Sequence, residues 1–131
     1  MYKHLLFALF PASMLLSGCG NFDMCGNKVL QRVKSPDGQY KAVIFSRDCG
    51  ATTGYSTHVS ILSGGAPLSN DAGNVFVSDD SDGSDRKGAK ELQVWVKWLG
   101  FNRLRITYRS GETIFRNDTK HNDVTVNYQS R

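Results

Sequence analysis

Residues 92–109, LQVWVKWLGFNRLRITYR, decide the fold. Leu92, Val94, Val96 and Trp98 alternate with Gln93, Trp95 and Lys97. Beyond a turn at residues 100–102, Leu104, Ile106 and Tyr108 alternate with Arg103, Arg105, Thr107 and Arg109. A period of two turns one set of side chains to a core and the other to water, whereas a helix repeats every 3.6 residues. The segment therefore predicts two adjacent strands whose polar face carries Trp95, Lys97, Arg103, Arg105 and Arg109.

The same pattern extends outward. Towards the C-terminus, SGE at 110–112 turns the chain, residues 113–116 form a short strand, and Val124, Val126 and Tyr128 close the series. Towards the N-terminus, NVFVS and YSTHVSIL read as strands, separated by the strand-breaking GGAP at 64–67. Residues 28–34 and 39–47 flank SPDG, a turn whose proline presets the backbone. In 39–47 both faces are apolar, Val43 and Phe45 on one and Tyr40, Ala42 and Ile44 on the other, which predicts an inner strand. No segment beyond the first twenty residues has helical period, and no internal repeat occurs. The expectation is an all-β domain, a small antiparallel β-sandwich or barrel-like meander.

The chain opens MYKHLLFALFPASMLLSGCG. A basic start precedes an apolar run at 5–16, about half of the ~20 residues that a membrane-spanning helix needs. This is the layout of a secretory signal peptide. Leu16, Ser17, Gly18 and Cys19 resemble the lipobox of bacterial lipoproteins. That resemblance implies diacylglyceryl transfer to the Cys19 thiol, removal of residues 1–18, and a lipid bilayer as the first partner. Two or more acyl chains make a stable anchor, since each buried methylene contributes ~0.8 kcal/mol. Gly20 follows the cysteine in place of aspartate, which by the sorting pattern of Gram-negative lipoproteins implies the outer membrane, with the domain facing the periplasm. Residues 19–27 then form a lipidated tether and residues 28–131 a single β-domain.

Removing residues 1–18 leaves 113 residues, 15 of the 16 Lys and Arg and all 12 acids, a formal charge of +3. Such a charge suits a soluble envelope domain and is too small to argue for nucleic acid. With Cys19 assigned to lipid, Cys25 and Cys49 remain as an even pair in an oxidising compartment. A bridge between them would close a loop of about 25 residues, worth roughly 3–3.5 kcal/mol in the chain-entropy model.

RDCGATTGYSTH at 47–58 is the densest chemical stretch. A Cys49 nucleophile would need a base, for which His58 is the nearest candidate, but Asp48 next to the thiol opposes its ionisation. The loop lacks the Gly-Lys-Ser/Thr ending of a phosphate-binding P-loop. Its hydroxyls, Thr52, Thr53 and Ser56, could still hold a cell-wall saccharide or small anion. Asp80, Asp82 and Asp85 around Gly83 resemble the start of a calcium loop, but Ala89 stands where the closing glutamate belongs, and a solvated hairpin loop is the simpler reading. No HExxH or paired-cysteine motif occurs, so no metal or other cofactor is expected. The basic strip around Trp95 has the residue types of a binding surface; the alternative is a solvated sheet face on which arginine covers the indole.

Residues 25–62, from CGNKVLQ through SPDG to RDCGATT and YSTHVSIL, resemble a group of small, uncharacterised exported bacterial proteins. The likeness continues more loosely through NVFVSDD and the 94–108 meander. It implies that Cys25 and Cys49 belong to one pattern, and it carries over no catalytic residue. The expected function is a non-catalytic binding or interaction module in the cell envelope, engaging a protein partner as inhibitor or assembly component. Saccharide or anion recognition by the 49–56 loop is the alternative, and a Cys-dependent enzyme the outside class.

Overall fold

The computed structural model describes residues 24–50, 54–79 and 93–131. The described residues form nine strands: β1 Gly26–Lys34, β2 Tyr40–Asp48, β3 Ser56–Ser63, β4 Phe76–Asp79, β5 Val94–Gly100, β6 Arg103–Tyr108, β7 Thr113–Asn117, β8 Lys120–His121 and β9 Val124–Ser130. Among the described residues there is no helix. One sheet runs β1-β2-β3-β4-β7 and the other β5-β6-β9-β8. The two pack face to face as a sandwich, and neither closes into a barrel.

Each antiparallel hairpin follows from local sequence. In SPDG, the Gly38 amide donates to the Ser35 carbonyl at 2.9 Å and Gly38 takes φ of 72°, a conformation that glycine adopts without a Cβ penalty. The Ser35 hydroxyl bonds the Asp37 carboxylate at 2.8 Å and accepts the Tyr40 amide at 3.1 Å, so the turn is tied on its inner side as well. The β5–β6 hairpin turns at Phe101 and Asn102, and Lys97 sits opposite Arg105.

Two features depart from an antiparallel meander. β7 leaves the sheet of β5 and β6 and pairs with β4 across the sandwich. After the two-residue β8, the chain returns and β9 lies parallel to β6, Leu104 opposite Val126 and Ile106 opposite Tyr128. Ile114 of β7 packs against the core from the edge of the first sheet. β9 then fills the place beside β6 with its apolar set, Val124 and Val126, turned inward.

The core lies between the sheets and contains Ala42, Ile44, Val59, Ile61, Phe76, Val94, Leu104, Ile106, Val124 and Val126. Polar contacts fasten its margins. The Trp98 indole N–H donates to the Val33 carbonyl at 2.9 Å, and the Trp98 ring stacks on Tyr40 at 6.5 Å. The Tyr128 hydroxyl lies 2.9 Å from the Val75 carbonyl oxygen and 2.6 Å from that of Asp118, sharing one hydrogen between them. That buried geometry raises the Tyr128 phenol well above its ordinary pKa, through loss of solvation and the nearby Asp118 charge.

A second buried layer covers the first sheet. Val43 and Phe45 are fully buried although they face away from the sandwich core, and His58 and Ser60 beside them are nearly so. The segment between β3 and β4 folds back over them. Its Gly64 amide donates to Gln39, and Asn74 bonds both the amide and the carbonyl of Ile61, at 2.8 and 2.9 Å, in the place of a neighbouring strand. β2 is thus apolar on both faces because both are covered, one by a sheet and the other by a loop.

Candidate functional site

Cys25 and Cys49 form a disulfide, with Cα atoms 3.8 Å apart. Gly26 pairs with Asp48, so the bridge continues the β1–β2 register by one position. β1 consequently begins at Gly26, inside the stretch expected to be tether. The Asp48 carboxylate accepts the Gly50 amide at 3.0 Å and shapes the turn after the bridge. The Arg47 guanidinium is engaged as well, donating to Asn27 Oδ1 at 2.7 Å and to the Asn70 carbonyl at 3.0 Å.

His58 is committed at both ring nitrogens. Nδ1 accepts the Gly73 amide at 2.8 Å, which places the ring hydrogen on Nε2, 2.7 Å from Ser56 Oγ. Ser56 in turn lies 3.5 Å from the Arg47 carbonyl. Burial, and secondarily the Arg47 charge, lower the His58 pKa from 6.5 to about 4. The ring is therefore neutral at ordinary pH and stacks on Phe45 at 5.2 Å between centroids. With Cys49 in a disulfide and His58 holding a loop, the two do not form a nucleophile–base pair here. The Ser56 hydroxyl is likewise engaged within the fold. Thr52 and Thr53 lie outside the described residues, as do Cys19 and the Asp80, Asp82 and Asp85 of the acidic loop.

The polar face of the second sheet brings the basic strip together. Lys97 and Arg105 are cross-strand partners, Arg105 pairs onward with Asn127, and Arg103 pairs with Thr125, which faces Lys120 on β8. Trp95 lies opposite Thr107 on the same side, since Val94, Leu104, Ile106, Val124 and Val126 take the inner positions. Arg109 follows β6, its amide donating to the Gln93 carbonyl at 3.3 Å. The guanidinium of Arg131 lies 4.8 Å above the Trp95 ring centroid, a cation–π contact with an arginine that the strand pattern did not single out.

Lys97, Arg103, Arg105, Lys120 and Arg131 thus share one face with Trp95. Among the described residues no aspartate or glutamate occupies an outward strand position there. The described acids sit instead at turns and strand ends: Asp37, Asp48, Asp71, Asp79, Glu112, Asp118 and Asp123. Arg116 on the opposite sheet shows the contrast, paired with Asp118 at 2.8 Å. Lys120 and Arg131 were reachable from sequence only if β8 and the last residue were known to extend this sheet. Among the described residues no three His, Cys, Asp or Glu side chains gather as a metal site.

No protein-family model, no curated protein and no solved structure matches the chain.

Proposed function

We propose that the chain is an envelope lipoprotein, held in a membrane by acyl chains on Cys19, whose β-sandwich is a non-catalytic interaction module for an acidic protein. The supporting observation is the outer face of the β5-β6-β9-β8 sheet, where five cations share a face with Trp95, Arg131 lying over its ring, with no outward acid among the described residues. Uncompensated like charges on adjacent strands repel one another. An acidic partner relieves that repulsion, steers association and leaves tryptophan and arginine as anchors. In a host with two membranes the module is placed on the outer membrane and faces the periplasm, as the Gly20 that follows the lipobox implies.

The test is in-cell crosslinking of the tagged protein, followed by identification of the captured species. The expected result is one partner in near-equal amount, carrying an acidic surface and lost on joint Arg103→Glu and Arg105→Glu exchange. Recovery of abundant neighbours alone, unchanged by the exchange, overturns the interaction reading. Palmitate labelling lost in Cys19→Ala tests the anchor separately.

A further inference from the structure

The other sheet carries a second cluster of cations, and it borders a groove. The outer side of the β1–β2 hairpin and the segment at 65–70 border an open groove of about 500 Å³. Arg32 and Lys41 line it as its charged groups, with Val29, Pro67 and Leu68 as apolar surface and Asn27 as a polar one. Arg32 pairs with Val43 across the ladder, and Lys41 lies directly opposite Lys34. Three cations therefore occupy neighbouring positions on one face, two of them as a like-charge cross-strand pair, an arrangement that destabilises a sheet. Among the described residues, none of the three has a carboxylate within ion-pair distance.

The wall opposite the cations is built. Asn27 Nδ2 donates to the carbonyls of Ser69 and Asp71, at 3.2 and 2.8 Å. Asn70 Nδ2 donates to the Cys25 carbonyl at 2.8 Å, and Arg47 bonds the Asn70 carbonyl. Gly64 and Gly73 pin the ends of the segment to Gln39 and His58. The groove is therefore preformed, which spares a ligand the cost of ordering the loop. Its volume falls in the usual range for small-molecule sites and far exceeds what a bare inorganic anion fills.

We propose that this groove binds a small organic anion, a carboxylate or phosphate carried on a body of monosaccharide size. Arg32 and Lys41 take the charge, while Val29, Pro67 and Leu68 lie against the ring. The site is on the sheet opposite the basic face of β5 and β6, so its success or failure is independent of the protein-partner reading. The anion is either a free sugar acid or sugar phosphate, or the acidic unit of a wall polymer, and one titration distinguishes these sources.

Protein purified as cells produce it is titrated with glucuronate, glucose 6-phosphate, glucose, inorganic phosphate and soluble acidic wall fragments, and followed by amide NMR shifts. The expected result is saturable shifts confined to Arg32, Lys41 and residues 65–70, produced by the charged sugars or the wall fragments and absent with glucose. Response to the monosaccharides identifies a free ligand, and response to fragments alone identifies the wall. Arg32→Gln and Lys41→Ala each weaken binding at least tenfold while the shifts of core amides stay in place, and Arg103→Glu leaves it unchanged. No saturable shift with any charged sugar or fragment at 10 mM overturns the proposal. An equal response to inorganic phosphate overturns the assignment of an organic ligand.

Discussion

Gly73 donates its amide to Nδ1 of His58 at 2.8 Å, and that bond fastens the β3–β4 segment onto the outer face of the first sheet. It joins a strand residue to a loop residue fifteen positions away. Through it, one wall of the groove depends on an uncharged imidazole.

His58 should therefore make the fold acid-sensitive. Its pKa falls from 6.5 in the open chain to about 4 in the fold, so between those values the unfolded chain binds more protons than the folded one. The stabilisation is complete above about pH 6.5 and is lost as pH falls towards 4, by up to about 3 kcal/mol. Urea unfolding at pH 7 and pH 5 measures the difference, which should shrink in His58→Asn. An imidazole NMR titration with a midpoint near 6.5 in the native protein would sink this account.

A methyl group at residue 73 has nowhere to go. A Cβ there would lie 2.5 Å from the Phe76 carbonyl oxygen and 2.9 Å from that of Val59, both backbone atoms in a sheet. Gly73→Ala should cost about 2–3 kcal/mol, at the level of an overpacked core. It should also raise the His58 pKa, because the shifted loop admits water. An unchanged melting temperature would show that the loop yields freely.

Removing the disulfide should loosen one edge first. In Cys25→Ser/Cys49→Ser, stability should fall by about 3 kcal/mol, the constraint lost from a loop of this length. Hydrogen exchange should accelerate at residues 26–29 of β1 before it changes in β5 or β6, since β1 is an edge strand with β2 as its one ladder neighbour. Uniform acceleration across both sheets would mean that the bridge supports the whole sandwich.

Trp98 and Trp95 have opposite roles, and substitution separates them. Trp98→Phe leaves the Val33 carbonyl without its indole donor and should cost about 1–2 kcal/mol. Trp95→Phe should leave stability nearly unchanged, losing mainly the surface-side cation–π contact of the half-buried indole with Arg131. Denaturation midpoints for the two variants decide the point, and equal losses would contradict it.

Much of the local structure was legible in the chain. Alternation in 92–109 placed Val94, Leu104 and Ile106 inside and Lys97, Arg103 and Arg105 outside, because a pleated strand offers no other arrangement. SPDG specified its turn through the short-range bonds of Ser35, Asp37 and Gly38. The apolar character of both faces of 39–47 predicted an inner strand, and β2 lies between β1 and β3. Cysteine counting paired Cys25 with Cys49, and the register of β1 and β2 brings them together.

Tertiary structure decided everything that depends on distant partners. Alternation says which way a side chain points but not which strand lies beside it, so the exit of β7 to β4 and the parallel insertion of β9 beside β6 had no local signal. His58 and Ser60 lie on the face of β3 opposite Val59, away from the sandwich core, and the return of the 64–74 segment buries them. Arg131 reached Trp95, and Lys34 came opposite Lys41, through strand pairing alone. Period and turn chemistry are properties of neighbouring residues, whereas pairing, burial under loops and clustering of charge arise from contacts that close over tens of residues. The strands belong to the sequence, and the faces they present together belong to the fold.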